Sequence, residues 1–295
     1  MKKGHLSLNA WITEAEEWQQ SLTDLLIDYN MRELECSEEE LLEKMKVMLK
    51  VMEESIAEGL QGHKSHSGLT GGAAKAFKLA SESDKYVGIL GPKARDAVIF
   101  AMAVGECNAA MGRIVAAPTA GASGVLPGVF MSLKKHYDLS EETLCKGMVV
   151  AGSIGQVIAE RASLAGATGG CQAECGSAAA MAAGAAVSML GGTPAMVGHA
   201  VSMVFKNVLG LVCDPVAGLV EVPCIKRNGA CAIQALLAAD MALAGIASFI
   251  PADEAIDAMK RVGDQLPCSL KETAAGGMAV CPTALSWAKE NFRKD

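Results

Sequence analysis

Aromatic side chains are scarce in this sequence. Phe, Trp and Tyr make up only 4% of the 295 residues, although half of the chain (51%) is hydrophobic. The apolar content is therefore Ala, Val, Leu, Ile and Met, with 31 Gly and 16 Met. Ala, Leu and Met are strong helix formers. Small residues let helices approach closely. Positive charge is not in excess either. The 26 Lys and Arg against 33 Asp and Glu give a formal charge of −7, which offers no reason to expect nucleic acid or an anionic membrane as a partner. Alternating strand patterns are nearly absent, apart from the short run Val216 to Val222. No C-x-x-C pair or His-rich spacing supports zinc, and the strong iron–sulfur spacings are missing too.

Long apolar runs are also missing. Residues 174–206 carry no formal charge between Glu174 and Lys206, but Gly191-Gly192-Thr193-Pro194 cuts the stretch, and its residues are mostly Ala, Gly, Ser and Met. The uncharged window from Ile114 to Leu133 contains Pro118 and Pro127. Both stretches read as buried helices and loops of a soluble core, not as membrane spans. The N-terminus, Met1-Lys2-Lys3-Gly4-His5, has no apolar h-region, so no secretory leader is expected. Ten cysteines in such a chain point to the reducing cytosol and a cytoplasmic protein. There, grouped cysteines read as metal-binding or catalytic, not as disulfides.

What remains predicts an all-α fold: a single helical catalytic domain over 1–295 with buried Gly/Ala-rich central helices. Residues 1–60 form an amphipathic segment packed on it, with helices over 8–30 and 38–60. Ser37 and Glu40 resemble a capping box. Further helices are expected at 73–81, from Pro92 to about Val115, and at 125–136, 141–163, 172–190, 194–209 and 224–246. Two more are expected from Pro251 to about Gln265 and from Pro282 to Phe292. Ser140 is placed to cap 141–163.

Three cysteines stand where Gly, Asp or Pro interrupts a helical run: Gly169-Gly170-Cys171-Gln172, Cys213-Asp214-Pro215 and Pro223-Cys224-Ile225. A thiolate near a helix N-terminus is stabilised by unpaired N–H groups and the dipole. Three gathered thiolates could hold a metal or an iron–sulfur cluster. With three protein ligands instead of four, one position stays open for substrate. A buried free cysteine is otherwise a small hydrophobe, and Cys175, one turn beyond Cys171, is either a competing ligand or a core thiol.

The string Ser67-Gly68-Leu69-Thr70-Gly71-Gly72 precedes a helix and could cradle a phosphate or an amino-acid carboxylate on its N–H groups. It does not match the P-loop pattern and follows no strand, so a nucleotide is not expected. Lys75 raises a pyridoxal Schiff base, which the missing α/β pattern disfavours. Charged and polar residues embedded in apolar helices form another group: Glu106, Asn108, Arg113, Gln172, Glu174, Lys206, Asn207, Glu221, Lys226, Arg227 and Asn228. Buried charges are costly unless paired or used. Arg113 and Arg227 suit a bidentate grip on a carboxylate. His66, in the glycine loop, is the best histidine for acid–base work.

At the glycine string, at Asn108-Ala109-Ala110-Met111-Gly112-Arg113 through Ala117-Pro118-Thr119, at Gly170-Cys171-Gln172-Ala173-Glu174, at Cys213-Asp214-Pro215-Val216-Ala217-Gly218 and at Val222-Pro223-Cys224-Ile225-Lys226-Arg227-Asn228, the chain resembles the α chain of the bacterial iron–sulfur L-serine dehydratases. The resemblance covers about residues 60–290. It implies a lyase that removes water from L-serine to give pyruvate and ammonia, with a 4Fe–4S cluster on Cys171, Cys213 and Cys224. It also implies a separate regulatory β subunit. The expected substrate contacts are Ser67, Thr70, Gly71, Gly72, Asn108, Arg113 and Thr119, and the candidate bases are His66 and Lys226. The alternatives are an iron–sulfur L-cysteine desulfidase and a non-catalytic helical scaffold subunit.

Overall fold

In the computed structural model, residues 6–292 are described. Among them are thirteen α-helices and no named strand. The all-α expectation holds, because the residues that would fill strands are spent on helix faces with Ala and Gly between them.

The chain opens with α1 (Leu8–Glu17), α2 (Leu22–Leu34) and α3 (Glu38–Gly59). The single helix expected over 8–30 is two. Gln19 takes a left-handed conformation (φ 52), and the Gln20 N–H turns back to the Ala15 carbonyl, which closes α1. Ser21 then caps α2 by accepting from the Asp24 N–H. The capping box of Ser37 and Glu40 forms at the start of α3.

After α4 (Ala73–Ser81), α5 (Pro92–Ala109) stops well short of the expected Val115. Met111 is left-handed (φ 64), its N–H bonds Asn108 O, and the Gly112 N–H bonds Cys107 O at 2.8 Å. This is a Schellman closure, and a non-glycine residue in the turn position hid it from the sequence. Helices α6 (Val125–Tyr137) and α7 (Glu141–Arg161) follow, with Ser140 capping α7 as expected.

The middle of the molecule is α9 (Ser177–Met189), preceded by the short α8 (Gly166–Gly169). Every residue from Ser177 to Val187 is buried. Helix α9 packs on α6, α7, α10 (Pro194–Val208) and α11 (Cys224–Leu243). Its Ala and Gly side chains permit that crowding. A Cβ at Gly184 would lie 2.4 Å from Ile154 Cδ1 on α7. Helices α12 (Ala252–Gln265) and α13 (Pro282–Phe292) complete the chain. The short alternating run Val216–Val222 forms a loop around a 3₁₀ turn, Val216–Gly218. Ala217 (φ 52) and Gly218 (φ 76) bend it out of extension.

Candidate active site

The chain between α8 and α9 does not continue as an ordinary helix. Residues Gln172–Gly176 form a π-turn directly after Cys171, a widening that is frequent at functional sites. It is held from two sides by one side chain. Gln172 Oε1 accepts from the Gly210 N–H at 2.9 Å and Nε2 donates to Met259 O at 3.0 Å, while the Gln172 N–H donates to Leu211 O. These bonds bring the segment after α10, which carries Cys213, alongside Cys171.

Cys213 does not open a helix, unlike the position its sequence neighbours suggested. It lies in an isolated parallel bridge with Lys271. Its N–H donates to Leu270 O at 2.9 Å and its carbonyl accepts from the Glu272 N–H at 2.8 Å. The segment after α12 is therefore tied to this cysteine. Cys224 is the first residue of α11, where unpaired N–H groups favour a thiolate.

Cys171, Cys213 and Cys224 lie close enough for their charges to act on one another. Hydrogen bonds from Cys175 and Arg227 hold the Cys171 thiol below its ordinary value despite its burial. Burial pushes Cys213 up, and the neighbouring Glu174 and Cys171 add to it. Burial pushes Cys224 up to about 12. Cys175 lies behind Cys171, against Cys231, and is fully enclosed.

Arg227 faces this centre from α11, and its partners are protein groups. Nη1 lies 2.8 Å from Asp214 Oδ1 and donates to Val212 O at 2.8 Å, and the guanidinium reaches Cys171. Glu174 closes another side. Its carboxylate accepts from Thr119 Oγ1 at 2.9 Å and from the Cys213 thiol at 3.8 Å. Burial raises its proton affinity. Gly166 leaves room for this contact: a Cβ there would lie 2.5 Å from Glu174 Oε2 and 3.0 Å from Cys213 Sγ.

Among the described residues, no three Cys, His, Asp or Glu side chains converge tightly enough to hold a single metal ion. The corners of an iron–sulfur cubane are spaced more widely than the ligands of one ion. An all-sulfur donor set, with one guanidinium to offset negative charge, fits such a group in kind.

The glycine loop is built differently from its expected form. The N–H groups of Gly72, Ala73 and Ala74, at the start of α4, donate to the buried carboxylate of Glu106 at 3.1, 2.8 and 3.2 Å. The anion in this cradle is thus the chain's own. Ser67 Oγ donates to Glu221 at 2.9 and 3.0 Å, and Thr70 Oγ1 donates to it at 2.7 Å. Gly71 is left-handed (φ 119), and a Cβ there would lie 2.2 Å from His63 O. Thr70, Gly71 and Lys226 line one cavity of about 170 Å³ with Glu106 and Glu221.

The remaining candidates are spread around these two groups. His66 is exposed on the loop. Asn108 reaches the Ala120 carbonyl at 3.5 Å, which holds α5 to the loop that carries Thr119. Arg113 is exposed just after the end of α5. Sequence reasoning marked Glu106, Glu174 and Glu221 as buried polar residues and gave them no role. It missed Lys64, Asp214, Gly166 and the Leu270–Glu272 segment altogether. Close approach at Gly166 and the Asp214–Arg227 pairing leave no local signal.

An all-helical chain that brings cysteines from three separate elements within reach of one another, with a cavity lined by carboxylates and lysines, defines the class: an all-α enzyme. The chain belongs to the serine dehydratase alpha chain family, whose model matches residues 3–279. It is 47% identical over 277 residues to a probable L-serine dehydratase alpha chain of Bacillus subtilis, covering 94% of this chain and 92% of that one. It is 43% identical over 258 residues to the L-serine dehydratase alpha chain of Peptoniphilus asaccharolyticus, covering 87% of each. The L-serine dehydratase TdcG of Escherichia coli is 41% identical over 184 residues, 62% of this chain but only 40% of that protein.

Proposed function

We propose that this chain is the catalytic α subunit of an L-serine dehydratase. It eliminates water from L-serine, giving pyruvate and ammonia, with a 4Fe–4S cluster held by Cys171, Cys213 and Cys224. The observation that carries the reading is the convergence of those three cysteines, from three separate elements, beside Arg227. Relatives that align over nearly their whole length carry the same name.

When bound, the cluster supplies a Lewis acid at its open iron, which helps serine's hydroxide to leave. The chain's own residues do the rest. Arg227, fixed by Asp214 and Val212, offsets charge on Cys171. Glu174, fixed by Thr119, shapes the ground beside Cys213. A base takes the α-proton, a step worth roughly 10²–10⁴-fold. His66 and Lys226 are both exposed, but Lys226 lines the cavity with Thr70 and Gly71 and His66 does not, which favours Lys226. The proton and the hydroxide leave as water. The resulting aminoacrylate tautomerises and hydrolyses to pyruvate and ammonia without further help.

In this reading Ser67, Thr70, Gly71, Gly72, Asn108, Arg113 and Thr119 surround the substrate. The chain works as one helical domain with a regulatory β subunit, in the cytoplasm. No helix of the described residues is long and apolar enough to cross a membrane. Nothing in the fold or the relatives favours cysteine desulfidation or a scaffold role.

The test is anaerobic reconstitution, then iron and sulfide counting and a serine-to-pyruvate assay with and without a β chain. Cluster incorporation with pyruvate release from serine is expected. A chain that takes up no iron, or that releases sulfide from cysteine and no pyruvate from serine, would overturn the reading.

A further inference from the structure

The hydroxyls of the glycine loop and the N–H groups at its helix end are already spent. Three N–H groups at its end serve Glu106, and the hydroxyls of Ser67 and Thr70 serve Glu221. A hydroxyl has a single hydrogen but two lone pairs. With that hydrogen committed to a charged acceptor at 2.7 Å, Thr70 Oγ1 can only accept from whatever enters the cavity beside it. Glu221 offers acceptors as well, because a carboxylate has about four lone-pair sites and here receives two hydroxyls. Both Glu106 and Glu221 are buried.

The cavity that Thr70 and Glu221 share is about 170 Å³, far above the ~10–15 Å³ that one water needs. Its lining also includes Lys64, whose ammonium group can receive a carboxylate. Acceptors and negative charge together with an ammonium group are the complement of a small zwitterion. Arg227, the other candidate for a carboxylate, is already taken by Asp214.

We propose that this cavity binds the α-ammonium of an amino acid through Glu221 and Thr70, so that the glycine loop reads the cationic end of the substrate and not its carboxylate. The proposal rests on the amino-acid substrate assigned above. Glu221 has two parts in it: it sets which way the loop hydroxyls point, and it supplies charge.

Glu221→Gln separates these parts from simple packing. The amide keeps the size and one acceptor oxygen. It loses the charge and brings an N–H₂ group, which turns a loop hydroxyl outward as a donor. The measurements use the reconstituted holoenzyme with its β chain. Two fragments serve as inhibitors: ethanolamine, with an ammonium and no carboxylate, and 3-hydroxypropionate, with a carboxylate and no ammonium. In Glu221→Gln the KM for serine and the inhibition constant for ethanolamine are expected to rise about tenfold or more. 3-Hydroxypropionate should stay within about twofold, and the loss should fall on KM more than on kcat. Thr70→Val should show the same selectivity with a smaller size. Equal weakening of both fragments, or undiminished ethanolamine inhibition in both variants, would overturn the pocket.

Hydrogen exchange at residues 63–72 of the wild-type protein needs no turnover. Protection by ethanolamine and not by 3-hydroxypropionate is expected. Such protection without pyruvate from serine would sink the serine reading and leave the pocket standing. Intact serine turnover without such protection would sink the pocket alone.

Discussion

Helix α9 and the segment just before it are one continuous stretch of chain under opposite rules. From Ser177 to Val187 every residue is buried. Ala and Gly dominate, and the stretch is held by dispersion contacts on all sides. From Gly166 to Gly176 the backbone passes from the single turn of α8 into the π-turn, and the contacts that fix it are polar: Gln172 to Gly210 and Met259, and Glu174 to Thr119 and Cys213. The packed half tolerates no added volume and needs no particular polarity. The polar half depends on each hydrogen bond and leaves sulfur atoms in reach of one another. Small residues serve both halves for different reasons. Gly184 admits a neighbouring helix, whereas Gly166 admits a carboxylate and a thiol.

The comparison can be broken by damaging one half and reading the other. The largest effect should come from the sulfur atoms. Cys171→Ala, Cys213→Ala or Cys224→Ala should each abolish cluster binding and serine turnover, with the helical circular dichroism of the chain kept. Full activity with iron retained in any one of them would remove it from the ligand set. Next comes Phe130→Ala on α6. The side chain is fully buried, and its loss should cost about 3–5 kcal/mol. Urea midpoints should fall while iron per folded molecule stays at the wild-type value. A proportional loss of iron would show that the two halves are not separable.

A smaller effect is expected at Asp96, in the first part of α5. Burial works against its charge, but hydrogen bonds and charge from Lys135 and His136 outweigh it and hold the carboxyl below the usual range. Because the folded value is depressed, the stabilisation is present above the unfolded carboxylate pKa of about 3.9. It is lost as pH falls through the folded value. Asp96→Asn should therefore lower stability by about 1–3 kcal/mol near neutral pH. The gap should close below about pH 3.9 as the wild-type carboxylate protonates. A gap that persists unchanged at low pH would assign the loss to packing. The smallest effect belongs to Ser37→Ala, about 1 kcal/mol from the broken capping box at the exposed start of α3, visible in thermal midpoints and silent in iron content.

Much of the helical framework was legible because it rests on local chemistry. Ser37 with Glu40, Ser140, Pro92 and Pro194 mark helix starts wherever they occur. The reading failed where a stop is made by backbone shape alone. Gln19 and Met111 take left-handed conformations that side chains of their type rarely adopt, so α1 and α5 end without a glycine to announce it. At the site, residue types were easier to read than partnerships. The glycine string looked like an anion cradle, and it is one, but the anion is Glu106, more than thirty residues away. Arg227 looked like a substrate grip and is held by Asp214.

The amino-acid order by itself determined that this protein is helical, where many of its helices begin, and which cysteines stand free of helix interiors. Those outcomes depend on propensity, capping and spacing within a few residues. Tertiary structure alone decided that the three cysteines share a neighbourhood, that Cys213 is pinned by the segment after α12, and that the hydroxyls of the glycine loop serve Glu221. Such pairings form between residues far apart in the chain. Which donor meets which acceptor is settled only when packing removes water and every buried polar group must find a partner.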